Sequence, residues 1–102
     1  MEFKKTGRGF ALYEFKDSYD KSCSLQESSS AEEEKIWFGI NDAEPKIMAS
    51  KTFQGGTGWV PYPIPEDVLL NTRMHLTRDQ VRELLPILIN FVETGDIRMG
   101  NK

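Results

Sequence analysis

Residues 71–80 read NTRMHLTRDQ, and a largely apolar segment follows them. Alternating polarity in the first half is typical of a β-strand, whereas the second half carries the signals of a helix start. Thr77 predicts the helix N-cap, because its hydroxyl can accept a hydrogen bond from a first-turn N–H, and Gln80 completes a capping box. Gly95 predicts the left-handed stop. We therefore predict a helix over 78–94 that follows a strand directly.

The apolar side chains of this helix cover a wide arc. At helical spacing the arc spans about 200°, whereas a helix that packs on one side needs about 100°. Ile87 and Ile89 widen the arc on either side of its central stripe. Either loops of the same chain cover these two side chains, or a second copy of the chain does. We expect at least a homodimer, with Ile87, Ile89 or both in the contact.

Length and composition limit the kind of protein. A chain of 102 residues builds one small domain, and loose tails are expected at 1–9 and 97–102. The net charge of −3 argues against nucleic acid as a partner. No apolar run approaches the ~20 residues of a membrane span, and the N-terminus does not resemble a signal peptide. Cys23 is the only cysteine, so a reducing cytoplasm is the expected compartment.

Strands are expected before the helix. Aromatic-rich or alternating segments predict strands at 10–15, 22–27, 35–40 and 68–76, with a brief strand at 47–48. This order predicts an α+β fold, in which an antiparallel sheet of about four strands has the C-terminal helix packed across one face. The expected core residues are Leu12, Cys23, Leu25, Ile36, Phe38, Ile40, Leu70, Met74, Leu76, Leu84, Leu85, Leu88 and Phe91.

The sheet face away from the helix is expected to be polar and to carry the candidate site. Alternation places on it, beside Ser24, an indole, a forked guanidinium donor, two amides and an imidazole. These groups suit the base, the phosphate and the polar edges of a nucleotide. The candidate ligand-binding residues are Gln26, Trp37, Asn71, Arg73 and His75. The alternative is a solvated sheet face with an ordinary cross-strand contact between Trp37 and Arg73.

Catalysis and metal binding have little support in the sequence. Cys23 could be a nucleophile with His75 as its base, but a place on the apolar face favours a packed thiol. One histidine and one cysteine are too few soft ligands for a metal, and the glycine-rich segment 55–58 lacks the lysine and helix of a P-loop. Acidic residues at 27 and 32–34 could mimic nucleic acid towards a basic protein, although a solvated loop is the simpler interpretation. We expect no catalytic residue, metal or cofactor.

Two segments carry a family resemblance. The first is CSLQESS at 23–29 followed by IWFG at 36–39, and the second is NTRMHLT at 71–77 with LLP at 84–86 and FVETG at 91–95. Over roughly residues 8–97 the chain resembles a group of small proteins encoded by tailed phages and prophages. The resemblance implies a phage accessory protein, many of which counter host immunity, and it carries over no site residue.

The expected function combines the polar face with this resemblance. We expect a non-enzymatic binding protein in the host cytoplasm that sequesters a nucleotide messenger of host immunity. One alternative is an inhibitor of a host defence protein complex that uses the acidic residues. Another is a small enzyme that degrades the messenger. The expected partners are therefore a small nucleotide or a host defence protein, together with a second copy of the chain.

Overall fold

An antiparallel sheet and a C-terminal helix form the frame of the structure, a computed structural model that describes residues 1–100. The sheet consists of β1, β2, β3, β4 and β7 in that order, and β5 and β6 form a separate hairpin. The α+β class with an antiparallel sheet and a C-terminal helix is confirmed. In chain order the elements are β1 (Glu2–Lys5), β2 (Ala11–Lys16), β3 (Ser22–Glu27), β4 (Lys35–Ile40), β5 (Lys46–Met48), a 3-10 helix (Ala49–Lys51), β6 (Trp59–Pro61), β7 (Arg73–Thr77) and α1 (Arg78–Thr94).

The strand predictions are confirmed in the middle of the sheet and wrong at its edges. β3 and β4 lie where the sequence predicts them. The expected loose tail at 1–9 instead contains β1, in which Phe3 pairs opposite Tyr13 of β2. The predicted strand 68–76 is shortened to β7, because β4 ends at Ile40, next to Thr72, and leaves the residues before Thr72 without a strand to pair with. The sheet therefore has five strands rather than about four.

Pairing register divides the sheet into an apolar face and a polar face. Phe15 pairs with Cys23, and Tyr13 pairs with Leu25, so the aromatic side chains of β2 lie on the apolar face. Leu12 was predicted for the core, but it pairs with Gln26 and lies on the polar face. The other apolar strand residues on this face are Phe3, Ala11, Ile36, Phe38, Ile40, Met74 and Leu76.

The helix begins and ends where its caps predict. The backbone N–H of Gln80 donates to the Thr77 hydroxyl, and the Gln80 side chain accepts from the Thr77 N–H, at 3.2 and 2.9 Å. Gly95 adopts the left-handed conformation with φ of 77°, and its N–H donates to the carbonyl of Phe91. Pro86 lies inside the helix without ending it. Local chemistry thus defines the whole of α1.

The apolar stripe of α1 is exposed in the single chain. Contact between the helix and the sheet is concentrated at β7, and no residue of α1 is buried. Placing the helix residues in the core of the protomer is therefore wrong, because Leu84, Leu85, Leu88 and Phe91 are 39–52% exposed. Leu70 and Met74, also predicted for the core, are 42% and 51% exposed. The physical reason is that α1 leaves the sheet at its edge strand with no loop that could turn it back.

Removing the N-cap tests how strongly local chemistry holds the helix. We expect Thr77→Ala to lower the free energy of unfolding by about 1 kcal/mol, because a first-turn N–H loses its acceptor. Urea denaturation followed by circular dichroism measures this change. The control is Glu83→Ala, which alters an exposed side chain of the same helix and should shift the midpoint far less. Equal midpoints for the two variants would contradict the role given to the capping box.

Candidate functional site

Arg73 reaches across β4 because position 39 is glycine. Ser24, Gly39 and Arg73 form one row across β3, β4 and β7. The Arg73 Nη1 donates to the Ser24 hydroxyl at 3.1 Å and to the Gln26 side-chain oxygen at 2.8 Å. A Cβ at position 39 would lie 3.1 Å from the Cα of Arg73 and 3.7 Å from its Cγ. The absence of a side chain there lets the guanidinium group pass over β4 to β3.

An aromatic stack occupies the next row of the polar face. Gln26, Trp37 and His75 pair across the same three strands. The Trp37 and His75 rings stack with centroids 3.9 Å apart and planes 13° apart. The Cζ of Arg73 lies over the Trp37 ring, 5.8 Å from its centroid, within the range of a cation–π contact. The Ser28 hydroxyl, just after β3, lies 2.9 Å from the Nε2 of His75.

Four of the five candidate ligand-binding residues therefore meet. Together with Ser24 they form what we call the polar cluster: Ser24, Gln26, Trp37, Arg73 and His75. Asn71 is not part of it, because it precedes β7 and pairs with no strand. Another asparagine, Asn41, contacts the polar cluster instead, because its side-chain oxygen accepts a hydrogen bond from the Ser24 hydroxyl at 2.7 Å.

Three residues beside the polar cluster are not among those that the sequence predicts for the site. Leu12, Glu14 and Asn41 join Ser24, Gln26 and Arg73 around an open cavity of about 240 Å³. Leu12 and Glu14 can be assigned to this face only from the register of β2 against β3, and the sequence does not fix that register. Asn41 carries a weak signal, since it is a polar residue directly after the last residue of β4.

Arg73 provides positive charge that the protein itself does not neutralise. Within residues 1–100 no carboxylate lies within ion-pair distance of its half-buried guanidinium, and the oxygens that hold it are neutral. Glu14 lies nearby but pairs with the ammonium group of Lys4 at 2.9 Å. Hydrogen bonds from Lys4 to Glu14 and then Glu2 raise the pKa of Lys4 above its ordinary value. The cavity beside Arg73 therefore suits an anionic group.

The sheet separates Cys23 from His75, so His75 cannot act as the base for a Cys23 nucleophile. Cys23 lies on the apolar face and is 5% exposed, whereas His75 lies on the polar face. The Cys23 thiol lies 3.5 Å from the carbonyl oxygen of Lys21, which is consistent with a packed side chain. No proton can pass directly between the two groups through a sheet that separates them.

The acidic residues are partly neutralised by neighbours. Glu33 lies 3.6 Å from the Lys35 ammonium group, and Glu34 lies 3.3 Å from the Arg78 guanidinium group. Glu27 accepts a hydrogen bond from the backbone N–H of Ala11. These contacts reduce the negative field that a nucleic-acid mimic would need.

Filling position 39 tests how the polar cluster is built. We expect Gly39→Ala to lower the free energy of unfolding by about 1–3 kcal/mol and to weaken the Trp37–His75 stack, because the new methyl group would displace β7 at Arg73. Chemical denaturation and near-ultraviolet circular dichroism measure the two effects. The matched control is Gly58→Ala, since Gly58 also has a positive φ but has open space around it. A near-ultraviolet spectrum unchanged by Gly39→Ala would contradict this account.

Among residues 1–100, no three histidine, cysteine, aspartate or glutamate side chains are grouped so that they could hold a metal ion. Over the same residues, no helix has both the length and the apolar character needed to cross a membrane. No protein family model, curated protein or solved structure matches the chain.

Proposed function

We propose that this protein is a non-enzymatic binding protein that sequesters a nucleotide messenger of host immunity. The observation that carries the proposal is Arg73, a half-buried cation that has no carboxylate partner within residues 1–100, beside the Trp37–His75 stack. A nucleotide offers a phosphate to the first and a planar base to the second. The biological setting of the proposal, the cytoplasm of an infected cell, is what the resemblance to phage proteins implies.

The phosphate is assigned to Arg73. Its Nη1 is already held by Ser24 and Gln26, so the guanidinium group is positioned before a ligand arrives. Within residues 1–100 these are the hydrogen bonds that the Arg73 side chain makes. They leave its Nε and Nη2 as donors for an anion. Arginine binds phosphate through two parallel N–H donors, which gives both strength and orientation. Prior positioning also reduces the entropy lost on binding.

The base is assigned to the outer side of the aromatic stack. β7 is an edge strand, so no strand lies beyond His75, and the His75 ring is exposed. A base can extend the stack there, and stacking contributes about 1–3 kcal/mol per base. The Arg73 guanidinium lies over β4 towards β3, whereas the free side of the His75 ring faces away from β4 at the sheet edge. Neighbouring strands are about 4.8 Å apart, so the two contacts are roughly 10 Å apart across the sheet. A messenger with more than one nucleotide unit, such as a cyclic oligonucleotide, spans this distance and contacts both side chains.

The groups around the polar cluster favour retention of a bound nucleotide over its chemical conversion. The thiol of Cys23 is on the other face, and the Glu14 carboxylate is paired with Lys4. His75 is engaged on its face by Trp37 and at Nε2 by Ser28. Nucleotide binding is also favoured over inhibition of a host protein through acidic mimicry, because Glu33 and Glu34 have cationic partners.

Binding to a panel of messengers tests the proposal. We expect calorimetry to detect at least one cyclic oligonucleotide or cyclic ADP-ribose variant, and Arg73→Ala to weaken that binding at least tenfold, since a charged hydrogen bond contributes about 1.5–3 kcal/mol. Arg98→Ala is the matched control, because Arg98 pairs with Asp96 after the helix and carries the same charge. Mass spectrometry of small molecules released from the denatured, cell-purified protein should identify the same ligand.

Three outcomes would overturn the proposal. The first is no heat with any messenger of the panel and no released nucleotide. The second is conversion of a messenger to product that stops on His75→Ala, which would indicate an enzyme. The third is recovery of a host protein without nucleotide, which would indicate a protein-directed inhibitor.

A further inference from the structure

Two apolar surfaces of the chain lack a partner. One is the apolar face of the sheet, where Tyr13 is 40% and Met74 is 51% exposed. The other is the apolar stripe of α1, which includes Leu85, Leu88 and Phe91. Each surface needs what the other provides, since an antiparallel sheet buries its apolar face against helices in an α+β fold.

The two surfaces cannot close on each other within one chain. β7 ends at Thr77 and α1 begins at Arg78, so no loop residue separates them. Strand-to-helix connections that fold a helix back onto its own sheet commonly use about 2–6 residues. The 17 residues of α1 extend about 26 Å from the sheet edge. α1 therefore projects from its own sheet as an arm.

The excess surface of the chain is large enough for an obligate dimer. Its accessible surface is 8622 Å², whereas a compact chain of 11.7 kDa exposes about 5,900 Å². The excess, about 2,700 Å², slightly exceeds the area that each partner of an obligate pair commonly buries, on the order of 1,000–2,500 Å². The radius of gyration agrees, at 18.0 Å against about 13 Å for a compact chain of this length.

A groove on the apolar side of the chain is the place where a helix from a second copy would lie. It is an open cavity of about 820 Å³ between the apolar sheet face and the first half of α1. Its apolar walls include Tyr13, Leu25, Ile36, Leu76, Val81 and Leu85. These walls match the chemistry of the exposed stripe farther along α1, where Leu88 and Phe91 lie.

We propose that two copies of the chain form a dimer by exchanging arms, with α1 of each protomer packed in the groove of its partner. A twofold axis makes the contact reciprocal, so both grooves and both arms are covered at once. The apolar stripe is then used along its whole length, with its first half in the protomer's own groove and its second half in the partner's groove. Val81 and Leu85 face the protomer's own groove, and Ile87, Leu88 and Phe91 belong to the portion that the partner covers.

The mass in solution is the first test. Light scattering at micromolar concentration should give about 23 kDa, twice the 11.7 kDa of the chain. Glu83→Lys, on the polar side of α1, should leave this mass unchanged. A mass of 11.7 kDa for the unmodified chain would overturn the proposal.

Complementation between two variants distinguishes arm exchange from other dimers. Leu25→Lys damages the groove, and Leu88→Glu damages the arm, so neither variant alone should form the dimer. In a mixed dimer both changes fall in one groove, and the other groove and arm are unmodified. Refolding the two variants together should therefore yield a heterodimer of about 23 kDa, detected by native mass spectrometry.

The same experiment remains decisive if the single variants do not fold. Recovery of soluble, helical protein only on co-refolding would support the exchange, because one intact contact is restored. A dimer built from helix against helix gains no intact contact on mixing, since every contact still includes the Leu88→Glu arm. Packing within one chain gains none either. Absence of the heterodimer after co-refolding would overturn the proposal.

Discussion

The direct passage from β7 into α1 at Thr77 is the constraint on which the rest of the architecture depends. Thr77 is the last residue of the strand and also the N-cap of the helix. Its reciprocal hydrogen bonds with Gln80 start the helix at once, so the chain has no loop in which to turn. The helix is therefore fixed to the edge of the sheet, and much of its apolar stripe is exposed in the single chain.

Features fixed by neighbouring residues could be predicted from the sequence, whereas features fixed by distant pairing could not. The capping box and Gly95 define α1 because both act within one helical turn. β1 escapes prediction because it is short, has Phe3 as its one apolar residue, and is stabilised by pairing with one neighbour. Leu12 is misplaced because β2 has apolar residues at successive positions, so only its register with β3 decides which of them face the core.

The candidate site was largely predictable, and the reason is again periodicity. Alternation within β3, β4 and β7 assigns Gln26, Trp37, Arg73 and His75 to one face before any register is known. The register then brings them into adjacent rows. Two details lay beyond this reasoning. Asn71 belongs to a segment that β4 is too short to pair, and the path of Arg73 over position 39 depends on a close approach of two strands.

β7 contributes residues both to the polar cluster and to the apolar face of the sheet. Arg73 and His75 face the polar side of this strand, and Met74 and Leu76 face the apolar side. As an edge strand it is held by one neighbour, β4, and such elements open at a lower free energy than a central strand does. Anything that covers Met74 and Leu76 also fixes the backbone that carries Arg73 and His75. Because a ligand binds more tightly to side chains that are already held, the proposed dimer contact on the apolar side would strengthen the proposed nucleotide binding on the polar side without contacting the ligand.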